Sequence, residues 1–428
     1  MAGSRKLKDD CFLHDRDRLR HAEALEILEA RLTGVTGCER VPLGSGCGRV
    51  LAETVSAPRD VPADDNSAVD GYAFAHASYL ACNGRLKIAA RIAAGHPANA
   101  PLPPGTAARI FTGAVMPQGA DTVAMQEDCA IEETGGAAVV AVPDGLKPGA
   151  NRRRAGEDLR AGAPLLDAGT RLRPQDLAAI ASTGQAEIDV FRRLRVALVS
   201  SGDEIRRPGE PLPPGGVYDA NHFLLKALVE GTGATATDLG VLPDKPDVVH
   251  EALAQAARTH DLVLTSGGAS RGEEDHMVAA LDALGSRHMW QLAIKPGRPM
   301  SFGQIGDCVV LGLPGNPVAA MVCFLLYARP VISALSGAGF AHPHRFQVPA
   351  AFGVPRKKAD RREFYRGTLA SDPAGRTVVD KFARDGSGLI SGLRAADGLI
   401  EIPEATTEIR PGDLVDFLPF PELGLLPR

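Results

Sequence analysis

Residues 195–202 (RVALVSSG), 261–268 (DLVLTSGG) and 307–315 (DCVVLGLPG) are three short apolar runs, each closing in serine, glycine or proline. A fourth run, 235–244 (TATDLGVLPD), is more polar and reads as another strand. Between and after them the apolar residues change to helical spacing, in 217–233 (VYDANHFLLKALVEGTG), 247–260 (DVVHEALAQAARTH), 273–285 (EEDHMVAALDALG) and 316–335 (NPVAAMVCFLLYARPVISAL). Strands that are apolar throughout, alternating with helices of this length, predict a doubly wound parallel sheet with helices on both faces. That domain spans 192–337.

Working outward, His21–Leu32 (HAEALEILEARL) carries apolar residues at helical spacing and ends at Thr33-Gly34. Over 51–142 helical periodicity vanishes, and short apolar runs such as LKIAARIAAG and AAVVAV alternate with glycine and proline, which predicts an inserted β-rich module. Residues 143–191 are turn-dense at first and lead back to the body begun by the first helix, so 16–50 and 143–191 form one discontinuous mixed domain. Residues 342–428 return to short strands and turns (REFYRGTL, GLIEIP, DLVDFLPF), read as a small β domain with no helix. Residues 1–15 are expected to be a disordered lead-in.

The bulk numbers exclude several classes. The 428 residues exceed one ordinary core, and 44% hydrophobic with 23% charged residues describes a globular chain. A net charge of −5 offers no global field for nucleic acid or an anionic membrane. Aromatic residues make up 5% with a single tryptophan, too few for the stacking platforms of single-strand binders. Seven scattered cysteines without a C-x-x-C pair fit a reducing cytoplasm and neither a disulfide framework nor a structural zinc. No run of about 18 apolar residues stands out as a membrane span, and the charged N-terminus lacks the apolar core of a secretory signal.

In an open α/β sheet, ligands bind beyond the carboxyl ends of the strands. Three such ends carry Ser200-Ser201-Gly202-Asp203-Glu204, Ser266-Gly267-Gly268-Ala269-Ser270 and Pro314-Gly315-Asn316-Pro317. The second and third read as anion cradles, because adjacent glycines let backbone N–H groups turn onto one oxyanion and serines add small donors. Asn316 reads as an N-cap and Pro317 as the first helical residue. Lys295 and Arg298, in AIKPGRP, supply cations. Glu204, with Glu273, Glu274 and Asp275, offers carboxylates of the kind that join phosphate oxygens around Mg²⁺. Each of these loops is also an ordinary tight turn, and acidic residues favour helix starts regardless of ligand. Asp60 to Tyr72 in the β module is a second acid-rich stretch, whose composition is that of turns.

Other signatures are missing or misplaced. There is no G-x-x-x-x-G-K-[ST], no G-x-S-x-G elbow and no H-E-x-x-H. Gly231-Thr-Gly233-Ala-Thr-Ala236 matches G-x-G-x-x-A but follows a helix instead of opening one, so it is a helix stop.

Seven motifs in order resemble the MoeA family, the molybdopterin molybdenumtransferases, related to the E domain of gephyrin. They are Asp65–Tyr72 (DNSAVDGY), Arg109–Ala114 (RIFTGA), Asn151–Asp158 (NRRRAGED), Ser201–Glu204 (SGDE), Ser266-Gly267-Gly268 with Gly272–Asp275 (GEED), Lys295–Pro299 (KPGRP) and Gly312–Pro317 (GLPGNP). The resemblance runs from about residue 16 to 420. It implies an elongated homodimer of four-domain subunits, with a central domain like that of the MogA/MoaB adenylyltransferases. It implies adenylylated molybdopterin and molybdate as substrates, Mg²⁺ as cofactor, and AMP and the molybdenum-loaded pterin as products. It also implies transient contact with the adenylyltransferase and with cofactor-accepting enzymes.

On this resemblance Asp65, Thr112, Glu204, Asp275 and Lys295 are the expected catalytic residues. Ser266, Gly267, Gly268, Arg298, Pro314, Gly315, Asn316 and Pro317 are expected to bind substrate and phosphate, with Asp275 and Glu204 toward Mg²⁺. Asp65 is expected at the molybdate end, in a cleft completed by the partner subunit. Gln291 and Arg298 stand where the family often has lysine, and Val69 where methionine is usual. Two alternatives are a molybdopterin adenylyltransferase and a non-enzymatic gephyrin-like scaffold. A tungstate-specialised relative would read the same.

Overall fold

The computed structural model describes residues 18–32, 34–267 and 276–427. Its centre is a six-stranded sheet in the order Thr235–Leu242, Arg195–Ser201, Leu262–Ser266, Cys308–Leu313, Pro299–Ile305, Ser286–Gln291. The first four strands are parallel, as the apolar runs predict, and the last two extend the sheet antiparallel. Pro299–Ile305 escapes the strand-helix pattern because it turns back through Gly306-Asp307 into Cys308–Leu313, a hairpin and not a crossover.

Strand alternation divides the core between the two faces. Val196 and Leu198 pack with the helices Ala220–Gly231 and Pro317–Leu335, while Ala197 and Val199 pack against Pro246–Thr259 and His276–Leu284. Each leucine or valine so buried contributes about 1.5–3 kcal/mol. Pro317–Leu335 changes one sequence expectation. With a mean hydropathy of 1.9 it is long and apolar enough to cross a membrane, yet 94% of it is buried, and it serves as the central core helix.

Two helix starts and one helix differ from expectation. Val217–Tyr218 is a short strand paired with Ile205–Arg206, so the helix begins at Ala220, where the Asp219 carboxylate accepts from the His222 N–H at 2.9 Å. Asn316 precedes Pro317 as predicted, but its side chain makes no capping hydrogen bond. The tail contains the helix Ile390–Ala395, too short and too broken by Gly392 to show a period.

Outside the central sheet, Cys38–Pro42 pairs with Glu187–Phe191 and brings both ends of the N-terminal region together. Between them lies a sheet ordered Thr122–Met125, Gly71–Phe74, Thr106–Ile110, Arg85–Ile92, Ala137–Ala141, Ala130–Thr134. The C-terminal sheet runs Ile294–Lys295, Arg362–Ser371, Gly398–Ile402, Leu414–Pro419, Phe346–Pro349. Its first strand belongs to the central region, so Lys295 is held by the C-terminal sheet through pairing with Glu363.

Candidate functional site

The carboxyl ends of the central strands open into a cleft of about 950 Å³. Among the described residues its wall draws on positions between 200 and 390. The cleft brings together Glu204, Ser266, Gly267, Lys295, Arg298, Pro314, Gly315, Asn316 and Pro317, nine of the sequence-predicted positions. Gly268 and Asp275, with Glu273 and Glu274, lie outside the described residues.

The loops converge because their glycines allow it. Gly267 has φ +91°, and a Cβ on Gly315 would lie 3.9 Å from the Gly267 Cα, so the two strand-end loops are adjacent. Gly202, at φ +143°, lets the Glu204 carboxylate fold back over its own loop, where a Cβ would meet Glu204 Oε2 at 2.5 Å. The first loop is tied down by Asp244, which accepts from Ser201 Oγ and the Asp203 N–H, each at 3.2 Å.

Lys295 is not the independent cation that its sequence context suggests. Its Nζ lies 3.8 Å from Glu363 Oε2, and Glu363 is 4% exposed and also accepts from Arg361 and the Tyr365 hydroxyl. Parallel pairing with Arg362–Glu363 makes this unavoidable, since it places lysine and glutamate side by side.

Sequence reasoning missed two groups of wall residues. Tyr218, Asp219 and Asn221 lie in VYDAN, a segment that looks like helix; a strand-end Asp-x-Asn was the available signal. The second group, including Arg366, Asp385 and Ser387, comes from the C-terminal domain. Arg366 is buried and gives its guanidinium to the carbonyls of Arg384, Gly386 and Leu389, which shapes the 384–389 loop. That loop reaches the core helix, where the Val318 N–H donates to the Ser387 carbonyl at 3.0 Å. Asp385 faces the cleft beside Lys381 at 2.7 Å. Burial works to raise its pKa, but Lys381, with Lys295 and Arg366 beyond, holds it below the usual carboxylate range.

Asp65 and Thr112 are not in this wall. Asp65 accepts from the Ala155 N–H at 2.8 Å and lies 3.6 Å from Arg152. Thr112 is joined instead to Asp70, whose Oδ1 accepts from both its N–H and its hydroxyl. These backbone and side-chain bonds hold the Asp70 carboxyl below its ordinary range. Beside it, Arg109 stacks on Phe111 at 4.6 Å and donates to the Gly71 carbonyl and to Gln126.

A central α/β sheet with a cleft at its strand ends, joined along the chain to a β-rich sheet before it and a β sheet after it, defines a multidomain α/β-plus-β class of protein. Family profiles match almost the whole chain: the MoeA N-terminal region (domain I and II) at 19–184, the probable molybdopterin binding domain at 197–334, and the MoeA C-terminal region (domain IV) at 347–420. The chain is 37% identical to the molybdopterin molybdenumtransferase of Haemophilus influenzae, covering 91% of this chain and 95% of that one. It is 35% identical to molybdopterin molybdenumtransferase 2 of Mycobacterium tuberculosis, covering 87% and 92%. The crystal structure of the molybdopterin biosynthesis MoeA protein from Pyrococcus horikoshii superposes with a TM-score of 0.80 at 28% identity, covering 94% of this chain and all of that one. The chain belongs to the MoeA family.

Proposed function

We propose that this protein inserts molybdate into adenylylated molybdopterin, releasing AMP and the molybdenum-loaded pterin. Its membership of a family of molybdopterin molybdenumtransferases makes it a transferase of molybdenum cofactor biosynthesis. The observation that carries the finer reading is the convergence of three strand-end loops with Lys295 and Arg298 on one cleft. The adenylyltransferase alternative is not favoured, because the match extends through the N-terminal and C-terminal MoeA regions.

In this reading Ser266, Gly267 and the Pro314–Pro317 turn hold the phosphates, and Lys295 and Arg298 offset charge as the phosphoanhydride opens. Mg²⁺ fits the donors present as a phosphate-held ion. Such an ion takes one or two carboxylates and fills its shell from phosphate and water, and the Glu204 carboxylate lines the cleft beside Ser266 and Gly267. Glu204 and Asp275 would hold it, and it would neutralise phosphate oxygens. Asp65, Asp70 and Thr112, which lie outside this subunit's cleft wall, would meet the molybdate end from the β module of the second subunit of a homodimer. The cytoplasm is the fitting compartment, with the adenylyltransferase and cofactor-accepting enzymes as transient partners. AMP release from adenylylated molybdopterin with and without molybdate tests the proposal.

A further inference from the structure

Asn221 sits on the first turn of the helix Ala220–Gly231, 7% exposed, in the wall of the cleft. Its Nδ2 donates twice, to Ser266 Oγ and to the Gly315 carbonyl, each at 2.7 Å. Its Oδ1 is buried and has no hydrogen-bond partner among the described residues. A buried acceptor left unmet costs stability, so the orientation of this amide is set by its two donations.

Those donations decide what the cradles show to a ligand. Ser266 Oγ, once it accepts from Asn221, is free to turn its own hydrogen toward the cleft. The Gly315 carbonyl is an acceptor whose negative end would repel an anion, and Asn221 takes it up. One amide thus leaves the serine hydrogen for the cleft and masks a carbonyl that would repel an anion.

We infer that Asn221 is a positioning residue that fixes the polarity of the two anion cradles and so sets affinity for the phosphate of the nucleotide. The inference rests on the reading of the cleft as a phosphate site. It concerns ground-state binding, so its loss falls on KM for the adenylylated pterin and leaves kcat nearly unchanged.

The test is calorimetric titration of AMP into the full-length protein and into Asn221→Leu, which keeps shape and neutrality but has no donor. Asn221→Ala is the second variant, and Ser266→Ala is combined with each. Thermal melts identify the variants that fold. The inference expects AMP to bind about tenfold more weakly in the folded Asn221 variants. Ser266→Ala should then add less than it does alone, and turnover should show the loss in KM. An AMP affinity within about twofold of the parent in either folded variant overturns the inference alone. So does a loss confined to kcat. Absence of AMP binding by the parent removes the phosphate reading of the cleft, and this inference with it.

Discussion

The backbone N–H and the hydroxyl of Thr112 both donate to a single oxygen of Asp70, each at 2.8 Å. The two residues come from separate segments, and the carboxylate fixes both the loop and the side chain of the threonine. They should therefore act as one unit. Asp70→Ala is expected to lower molybdate-dependent turnover at least as much as Thr112→Ala, with the double variant little worse than Asp70→Ala. Additive losses in initial-rate measurements would show that the two act separately.

The Lys295–Glu363 pair gives a prediction of opposite sign for two properties. Glu363→Gln removes the buried carboxylate that competes for Lys295, so AMP should bind more tightly by calorimetry. The same change leaves Arg361 and the Tyr365 hydroxyl with a weaker acceptor, and the melting temperature should fall. Unchanged AMP affinity would mean that Lys295 does not face the anion.

His21 couples stability to pH. It is buried with Nδ1 2.8 Å from the hydroxyl of the fully buried Tyr327, and its Nε2 has no hydrogen-bond partner among the described residues. Burial first, then Arg362 and Arg345, lower its pKa to about 3 from 6.5. Above pH 6.5 the ring is neutral in both states; below it the unfolded chain gains a proton that the folded one refuses. Stability is therefore full above pH 6.5 and lost as pH falls toward 3. His21→Gln should flatten the fall in denaturant midpoint between pH 6.5 and 5, partly, because His222 is shifted in the same direction by burial. Parallel curves for parent and variant would contradict this.

Lys357 is 5% exposed, and its ammonium donates to the carbonyls of Lys358, Arg361, Pro403 and Glu404. Lys357→Met leaves those acceptors without their donor and should cost roughly 2–4 kcal/mol in chemical denaturation. A loss below about 0.5 kcal/mol would place the lysine among ordinary surface residues.

The central sheet was legible because short apolar runs such as RVALVSSG and DLVLTSGG, bounded by serine and glycine and alternating with helical periods, read as buried strands. The hairpin strand Pro299–Ile305 was not, since a reversal through Gly306-Asp307 breaks the βα rhythm. Asn221 and Arg366 stayed hidden for different reasons. Asn221 lies in a segment whose period is helical, while Arg366 reaches the cleft only because Ile294–Lys295 pairs with Arg362–Glu363. Nothing local in REFYRG records that long-range pairing. Asp70 was visible as part of an acid-rich turn, but its partnership with Thr112 needed the fold.

The most direct measurement is AMP release from adenylylated molybdopterin by the purified full-length protein with Mg²⁺, followed with and without molybdate. The account predicts molybdate-dependent AMP release, sharply reduced in Asp275→Ala and Thr112→Ala variants that melt like the parent. AMP release that is absent, or independent of molybdate, would contradict it.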